Sequence, residues 1–557
     1  MHYKRVSNQP LKSAHRVTPA DALGETNGNS GGSAKRTVTR MVRLHGNGRT
    51  NKSLPDGAMN ISEVLSERLS QHPKNHEQTC ANAADSLRIM KFGGTSVGDA
   101  DCIERVVEII RSSSPESNLV VVVSAMSGVT NKLIEAATRA EAGDRETVAA
   151  IFEGLRKQHE TAAGLLIHSV EERKQISQQI EEIIQEGEHL CHGTILLREL
   201  TARTRDAISS LGERLSSPLV AAALVSRGLA AKSVEATELI VTDSNHGAAE
   251  PQMEETRECC EARLRPLLQR GIVPVVTGFL GATAEGVLTT LGRGGSDYSA
   301  TILGAALEAD EVIIWTDVDG VLTTDPRHVS GASTIPEISY LEASELAHFG
   351  AKVLHPRALR PVMRSDIPIY IRNTFAPERQ GTKITPGGSQ DCEGVRALTA
   401  ISDVTLITIG GPATVGVRDV LGRTFTTTAA IQADVLLISQ SSSQNDISFV
   451  VPAAHAKCTV EALRREFAHD LAHKEVDHIA VNPNVAIVTV VGENMRGTPG
   501  IVGRACGALG RKYVDLIAIA QGSAACNISF LVARKDMKAA LLAAHEEFFA
   551  QVLPRSK

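Results

Sequence analysis

The sequence predicts an α/β protein: a doubly wound, mainly parallel sheet over residues 87–385, followed by two small α+β modules of βαββαβ type at 395–478 and 479–557. Three observations carry this. Short apolar runs, LRIMKF (Leu87 to Phe92), NLVVVVSA (Asn118 to Ala125), IVPVVTGF (Ile272 to Phe279), EVIIWTD (Glu311 to Asp317) and IPIYIRN (Ile367 to Asn373), alternate with helical patterns, as in a parallel sheet covered on both faces. Glycine-rich turns lead from strand to helix at KFGGTS (Lys91 to Ser96) and LGRGGSDYSA (Leu291 to Ala300). The C-terminal part repeats itself. ADVLLISQSSSQNDISFVV (Ala433 to Val451) and VDLIAIAQGSAACNISFLV (Val514 to Val532) share their anchors, and Gln440 precedes Ile447 by the same seven positions that separate Gln521 from Ile528, the mark of an internal duplication.

Taken in order, the chain opens on a segment with no core to offer. Residues 1–58 hold ten Lys or Arg against three Asp or Glu, a balance of +7, so the remainder carries −13 of the net −6. Rich in Ser, Thr, Asn and Gly, this stretch buries too little apolar surface to offset ordering entropy. Residues 1–86 are therefore expected to be a disordered basic extension, with Ile61 to His72 (ISEVLSERLSQH) a short amphipathic helix in it. The leader is basic, acid-poor and Ser-containing, as plastid or other organelle import signals are, but lacks an amphipathic stripe near Met1; a cytoplasmic protein is the expectation. Order begins at Leu87. Ile103, Val106, Val107 and Ile110 then recur at helical spacing. From about 144 to 206 a long polar helical pattern predicts an inserted helical lobe, and another helix follows from Ser296 to Leu307. Composition shifts at TPGGSQDCEG (Thr385 to Gly394), the domain boundary, and the two modules beyond it are expected to pair sheet to sheet.

Composition excludes several classes. At roughly 100 to 200 residues per domain, 557 residues ask for about three folded units. Nine cysteines without a CxxC pair make neither a disulfide framework nor a zinc ribbon and point to a reducing compartment. No apolar run nears the roughly 20 residues that span a bilayer, so no membrane partner is expected. A net charge of −6 with one Trp, five Tyr and eleven Phe provides neither the positive field nor the stacking platforms of a nucleic-acid binder.

The chemistry concentrates in Gly-rich loops. KFGGTS sets small residues between a strand and a helix N-terminus, where amides can approach a phosphate and the helix dipole favours anions; it is neither a P-loop nor a dinucleotide fingerprint. Lys91 before the glycines adds a cation for a transferring phosphoryl group, a reaction governed by positioning and electrostatics. LGRGGSDYSA makes a second anion loop, with Arg293 as a bidentate donor. WTDVDGVLTTDPR (Trp315 to Arg327) follows a strand whose carboxyl end is where such sheets bind ligands, and its acids do not fit an EF-hand. GERLS (Gly212 to Ser216) is expected to open a helix with Glu213, GAKVLHP (Gly350 to Pro356) contributes Lys352, and His355 reads as structural. No catalytic triad, HExxH or metal cluster appears.

In this order KFGGTSV, SAMSGVTN (Ser124 to Asn131), GERLS, GRGGSDYSA, WTDVDGVLTTDPR and FGAKVLHPR resemble the aspartokinases of the amino-acid kinase fold. The resemblance runs from about Leu87 to the C-terminus, and the repeats resemble paired ACT regulatory domains. The QSSS and QGS segments look most like the form fused to homoserine dehydrogenase, although this sequence stops at Lys557 without that half. The resemblance implies MgATP-dependent phosphorylation of the β-carboxylate of L-aspartate. A carboxylate of pKa about 3.9 is already ionised and needs no general base. By motif position, Lys91 would stabilise the transferring phosphoryl group and Asp297 would orient Lys91, with Gly93, Gly94 and Ser96 shaping the cradle. Arg293 would clamp the aspartate α-carboxylate, Glu213 would meet its ammonium, and Thr130 and Ser296 would line the pocket. Thr316, Asp317, Asp325 and Arg327 would hold the nucleotide and Lys352 its phosphates, with Mg2+ carried mainly by the phosphates. Leu322 departs from the family's common Tyr, which implies rearranged adenine-side contacts. Gln440, Asn445, Gln521 and Asn527 are the effector-site candidates, for threonine rather than lysine, in a homodimer or homotetramer joined through the ACT domains. A kinase for another carboxylate and a non-catalytic effector-binding ACT protein are the competing readings.

Overall fold

The computed structural model describes residues 86–350, 354–389, 394–410, 417–440, 446–493, 495, 498–522 and 526–549. The expected basic extension and the Ile61–His72 helix lie outside them, as do Lys352 and Asn445.

The first domain is wound on strand β1 (Leu87–Phe92). Helix α1 (Ala100–Ser113) buries Ile103, Val106, Val107 and Ile110, the positions read from the sequence, and leads to β2 (Asn118–Val123), whose four valines are buried on both faces of the sheet. Four helices follow: α2 (Val129–Ala142), α3 (Arg145–Leu166), α4 (Val170–Leu197) and α5 (Ala202–Ser226). The expected insertion covers α3 and α4, while α5 starts inside it and runs on into the body of the domain. Then come β3 (Ala231–Val234), β4 (Val241–Thr242), α6 (Met253–Arg263), α7 (Arg265–Gln269), β5 (Val273–Thr277), β6 (Leu280–Thr283), β7 (Leu288–Thr290) and α8 (Gly295–Ala306). The domain ends with β8 (Glu311–Thr316), β9 (Glu337–Ser339), α9 (Tyr340–His348), α10 (Pro356–Met363), β10 (Ile369–Asn373) and β11 (Thr382–Thr385).

Eight strands form one sheet in the order β3-β5-β2-β1-β8-β10-β11-β9, parallel except for β10 against β11. Side chains alternate across it. Met90 and Phe92 enter the core shared with α1 to α5, whereas Leu87 and Ile89 enter the core shared with α8 and α10. Lys91 therefore emerges on the α8 side, at the carboxyl end of the central strand.

The second domain comprises β12 (Ala397–Gly410), α11 (Val417–Ala430), β13 (Leu437–Gln440), β14 (Ile447–Pro452), α12 (Ala453–Glu466), α13 (Ala468–His473), β15 (His478–Val491), α14 (Ile501–Arg511), β16 (Leu516–Gln521), β17 (Asn527–Ala533) and α15 (Met537–Phe549). The two modules do not pair sheet to sheet. They join edge to edge in one antiparallel sheet, β13-β14-β12-β15-β17-β16, because β12 and β15 pair along their whole length, from Ala397 against Val491 to Gly410 against His478. The strands also cross the module boundary. Residues 404–409 lie beside β14 of the first module, while 397–401 lie beside the part of β15 that carries β17, and Leu398 is buried in the second module's core. Residues 397–401, read as part of the first module, are thus built into the second. The duplication is visible in the register, with Gln440 opposite Ile447 and Gln521 opposite Ile528.

Candidate active site

The site lies beyond the carboxyl ends of β1, β2, β5 and β8, where Lys91, Asp297 and Glu213 come together from three segments. Lys91 is nine-tenths buried, and its Nζ lies 2.5 Å from Asp297 Oδ1 in the first turn of α8. Gly94 is there for space: a Cβ on it would stand 3.0 Å from the Ala125 carbonyl just after β2, whereas one on Gly93 would meet Lys91 Nζ at an ordinary 3.5 Å. Gly93 N–H donates to the Trp315 carbonyl, and the Ser96 and Val97 amides donate to the Gly93 carbonyl. The loop is thereby a closed turn, in which the amides of Gly94 and Thr95 have no partner among the described residues.

Two expectations about helix termini are corrected. Helix α1 begins at Ala100, beyond the KFGGTS loop, and its N-terminus is capped by Asp99, whose carboxylate accepts from the Cys102 amide. A carboxylate already occupies that anion site. The terminus of α8 is open, as is that of α2 behind Gly128: its cap residue Gly294 has φ 71° and no side-chain cap, and the amides of Ser296 and Asp297 have no partner among the described residues. Anions are stabilised at such an end. Second, GERLS does not open a helix, since Gly212 and Glu213 lie in the middle of α5. Gly212 serves contact: a Cβ there would stand 2.6 Å from Ala125 Cβ. The missing side chain lets α5 press on the loop after β2 and brings Glu213 to the site. Ser216 Oγ fastens the same contact by donating to the Ser124 carbonyl at 2.8 Å.

Glu213 is 3% exposed, and its Oε2 has no hydrogen-bond partner. Burial pushes its pKa up to about 8, against the amides of Ala125 and Glu213 and the Lys91 ammonium, which favour the charged form. A buried carboxyl with a vacant oxygen is suited to a cationic group delivered by a ligand. Arg293 is exposed on the loop between β7 and α8, with no ion-pair partner among the described residues. Thr130 is half-buried in the first turn of α2, and Ser296 is half-buried beside Asp297. Ser96 is fully buried, and its hydroxyl shares a 2.7 Å hydrogen bond with that of Thr374, so it ties the turn to the end of β10.

On the nucleotide side, Thr316 closes β8 and donates to Asp317, which is exposed. Asp325 and Arg327 hold each other: Arg327 donates through its amide, Nε and Nη2, and this holds the Asp325 carboxyl below its ordinary range. Of the effector candidates, Gln440 and Gln521 are exposed at the ends of β13 and β16. Asn527 is engaged elsewhere: its Nδ2 donates to Glu345 of α9 at 2.5 Å, so it braces the second module against the first domain.

Sequence reasoning missed two participants, Gly278 and Asp206, while His355 is structural as expected. Gly278 follows β5, and a Cβ there would stand 2.7 Å from Ser296 Cβ and 2.9 Å from the Val123 carbonyl. His355 caps α10 by accepting from the Arg357 amide, and a Cβ on Gly294 would stand 2.6 Å from its Cβ. Asp206, almost fully buried, accepts from Thr290 N and Oγ1, Gly247 N and His246 Nδ1, and so holds the strand end that leads into Arg293. A groove of about 1270 Å3 between α1 and the β8–β10 face bearing Trp315 and Tyr370 contains none of the predicted site residues.

Residues 86–373 match the amino acid kinase family, and the chain belongs to that family. Residues 407–467 and 488–548 match the ACT domain. Within the family it stands among the aspartokinases: it is 33% identical to the chloroplastic Aspartokinase 1 of Arabidopsis thaliana over 83% of this chain and 80% of that one. It is 34% identical to bifunctional aspartokinase/homoserine dehydrogenase 1 of the same plant over 84% of this chain and 51% of that protein. The chain spans about half the length of such bifunctional relatives. Among solved structures, E. coli aspartokinase III in complex with aspartate and ADP superposes with a TM-score of 0.71 at 30% identity, over 83% of this chain and all of that one. The same enzyme with lysine and aspartate gives a TM-score of 0.68.

Proposed function

We propose that this protein is an ATP-dependent aspartate kinase, which transfers the γ-phosphoryl group to the β-carboxylate of L-aspartate, giving 4-phospho-L-aspartate, under feedback control by an amino acid. The observation that carries the reading is the meeting of two groups beyond the carboxyl end of the sheet: the buried Glu213 carboxyl, with one unpartnered oxygen, and the Lys91–Asp297 ion pair. The first is the complement of a ligand ammonium, and the second holds a cation ready for phosphoryl transfer.

The chemistry follows from charge. The nucleophile is an ionised carboxylate and the electrophile an anionic phosphate, so mutual repulsion is the obstacle and fixed cations and amides are the remedy. Arg293 pairs with the α-carboxylate and Glu213 with the ammonium, which leaves the β-carboxylate facing the phosphate. Lys91, kept in place by Asp297, neutralises charge on the phosphoryl oxygens as it passes, with the amides of Gly94, Thr95 and the first turn of α8 as further donors. Asp317, Asp325 and Arg327 meet the nucleotide. Mg2+ would arrive on the nucleotide's phosphates and there reduce the charge the nucleophile meets.

Hydroxamate formation from ATP and L-aspartate, with L-glutamate in parallel, tests the reading. Product with aspartate at least tenfold above glutamate is expected; none with aspartate, or equal product with both, refutes it. The same assay with threonine and lysine added separately tests the effector, where inhibition by threonine is expected. Light scattering is expected to give a homodimer or homotetramer.

A further inference from the structure

The segment carrying Asp325 and Arg327 leaves the first domain and enters the second. After β8 the chain forms a narrow ribbon, with Thr323 N donating to the Ser333 carbonyl and Leu322 bridging to Thr334. The ribbon is held from three sides by the second ACT module. The Leu398 amide of β12 donates to the Thr323 carbonyl at 2.7 Å. His545 Nε2, on α15, lies 3.2 Å from Thr323 Oγ1, inside the protein. Val329, at the turn, is 3% exposed and packs in the module's own core with Leu398, Val488, Val490 and Met495. The turn between Asp325 and Val329 is short and closed, with the amides of His328 and Val329 donating to the Asp325 carbonyl. Whatever displaces Val329 displaces Asp325 and Arg327 with it.

We propose that the second ACT module is a working part of the nucleotide site, with His545 and Val329 as positioning residues that fix the loop carrying Asp325 and Arg327. The proposal rests on the reading of that loop as the nucleotide contact. A neutral imidazole makes the His545 contact in either tautomer, because Thr323 Oγ1 accepts from the Ser333 amide and still has one lone pair and its proton for Nε2. Burial lowers the proton affinity of His545 and keeps it so, with Glu546 on its own helix the charged group that opposes this. Phe549 lies against the ring at 4.8 Å.

Calorimetric titration of the full chain with MgADP tests this without reference to the phosphoryl acceptor. His545→Leu and Val329→Ala are each expected to weaken MgADP binding about three- to thirtyfold, with L-aspartate affinity changed less than about twofold. His545→Gln, whose amide oxygen can accept from Thr323, is expected to bind MgADP within about twofold of the wild type. Unchanged MgADP affinity in both His545→Leu and Val329→Ala overturns the proposal, and so does a parallel loss of aspartate affinity, which would signal general loosening. A wild-type chain that binds MgADP but does not phosphorylate aspartate would sink the aspartate kinase reading and leave this one standing.

Discussion

Glu213 shows how one side chain can set a pH profile. Its pKa, raised by burial to about 8, keeps it protonated in the free protein near neutrality, whereas the ammonium of aspartate calls for the carboxylate. Binding must expel that proton, so kcat/KM for aspartate is expected to rise about tenfold per pH unit below about pH 8 and to level off above it. Stability runs the other way. A carboxyl whose folded pKa exceeds its unfolded value near 4.3 binds more protons when folded, so the free protein loses stability as pH climbs from about 4.3 towards 8. Glu213→Gln is expected to flatten both slopes and to lower kcat/KM by about two orders of magnitude; a rate profile flat from pH 6 to 9 in the wild type would refute the assignment. Lys91 and Arg293 stood out in the sequence as cations beside Gly-rich loops, whereas the roles expected of Glu213 and Asp297 came only from the family resemblance. Gly278 was out of reach, since its role is an absence of atoms beside Ser296, a residue distant in sequence.

Among the elements, the strands were legible and the helix contacts were not. Runs such as NLVVVV identify themselves because a strand covered on both faces needs no polar positions. Gly212 in the sequence looks like a helix opener, and only the packing of α5 on Ala125 explains it as an interior glycine. The same limit hid Asp206, which served in the sequence only as the edge of a helical block. In the structure its carboxylate collects four donors from two segments, Thr290 twice and the adjacent His246 and Gly247, and Gly247 in turn lies against Gly292. The strand end that leads into Arg293 hangs from this one group. Asp206→Ala leaves those buried donors unpaired, so a loss of about 3 to 5 kcal/mol in stability is expected by denaturant titration. In protein that remains folded, the KM for aspartate should rise while that for ATP holds. Equal rises in both would place the effect in the fold at large rather than in the Arg293 loop.

At the scale of the molecule, the repeat was readable and its assembly was not. Identical anchors at Gln440 and Gln521 announce two copies, but a repeat is found in contiguous sequence, and these modules are not contiguous. Each strand of the central pair serves both: 404–409 and the start of β15 complete the first module, while 397–401 and the end of β15 complete the second. The strand order follows from edge economy. A βαββα unit ending at α15 would leave β15 with an unpaired edge over the residues that carry β17 on their other side, and 397–401 covers that edge. It also brings Leu398 into the core with Val488, Val490, Ile501 and Phe530. Cutting the chain at 478/479 therefore removes from the second module both an edge strand and part of its core. A fragment of residues 479–549 is expected to be largely unfolded by circular dichroism and to lack slowly exchanging amides in β15 and β17. A fragment of residues 395–549 is expected to unfold in a single cooperative transition, because neither module holds a complete sheet without the other. Two separated transitions in the longer fragment, or a stable fold in the shorter one, would mean that the shared strands are a contact between independent modules and not the structural basis of either.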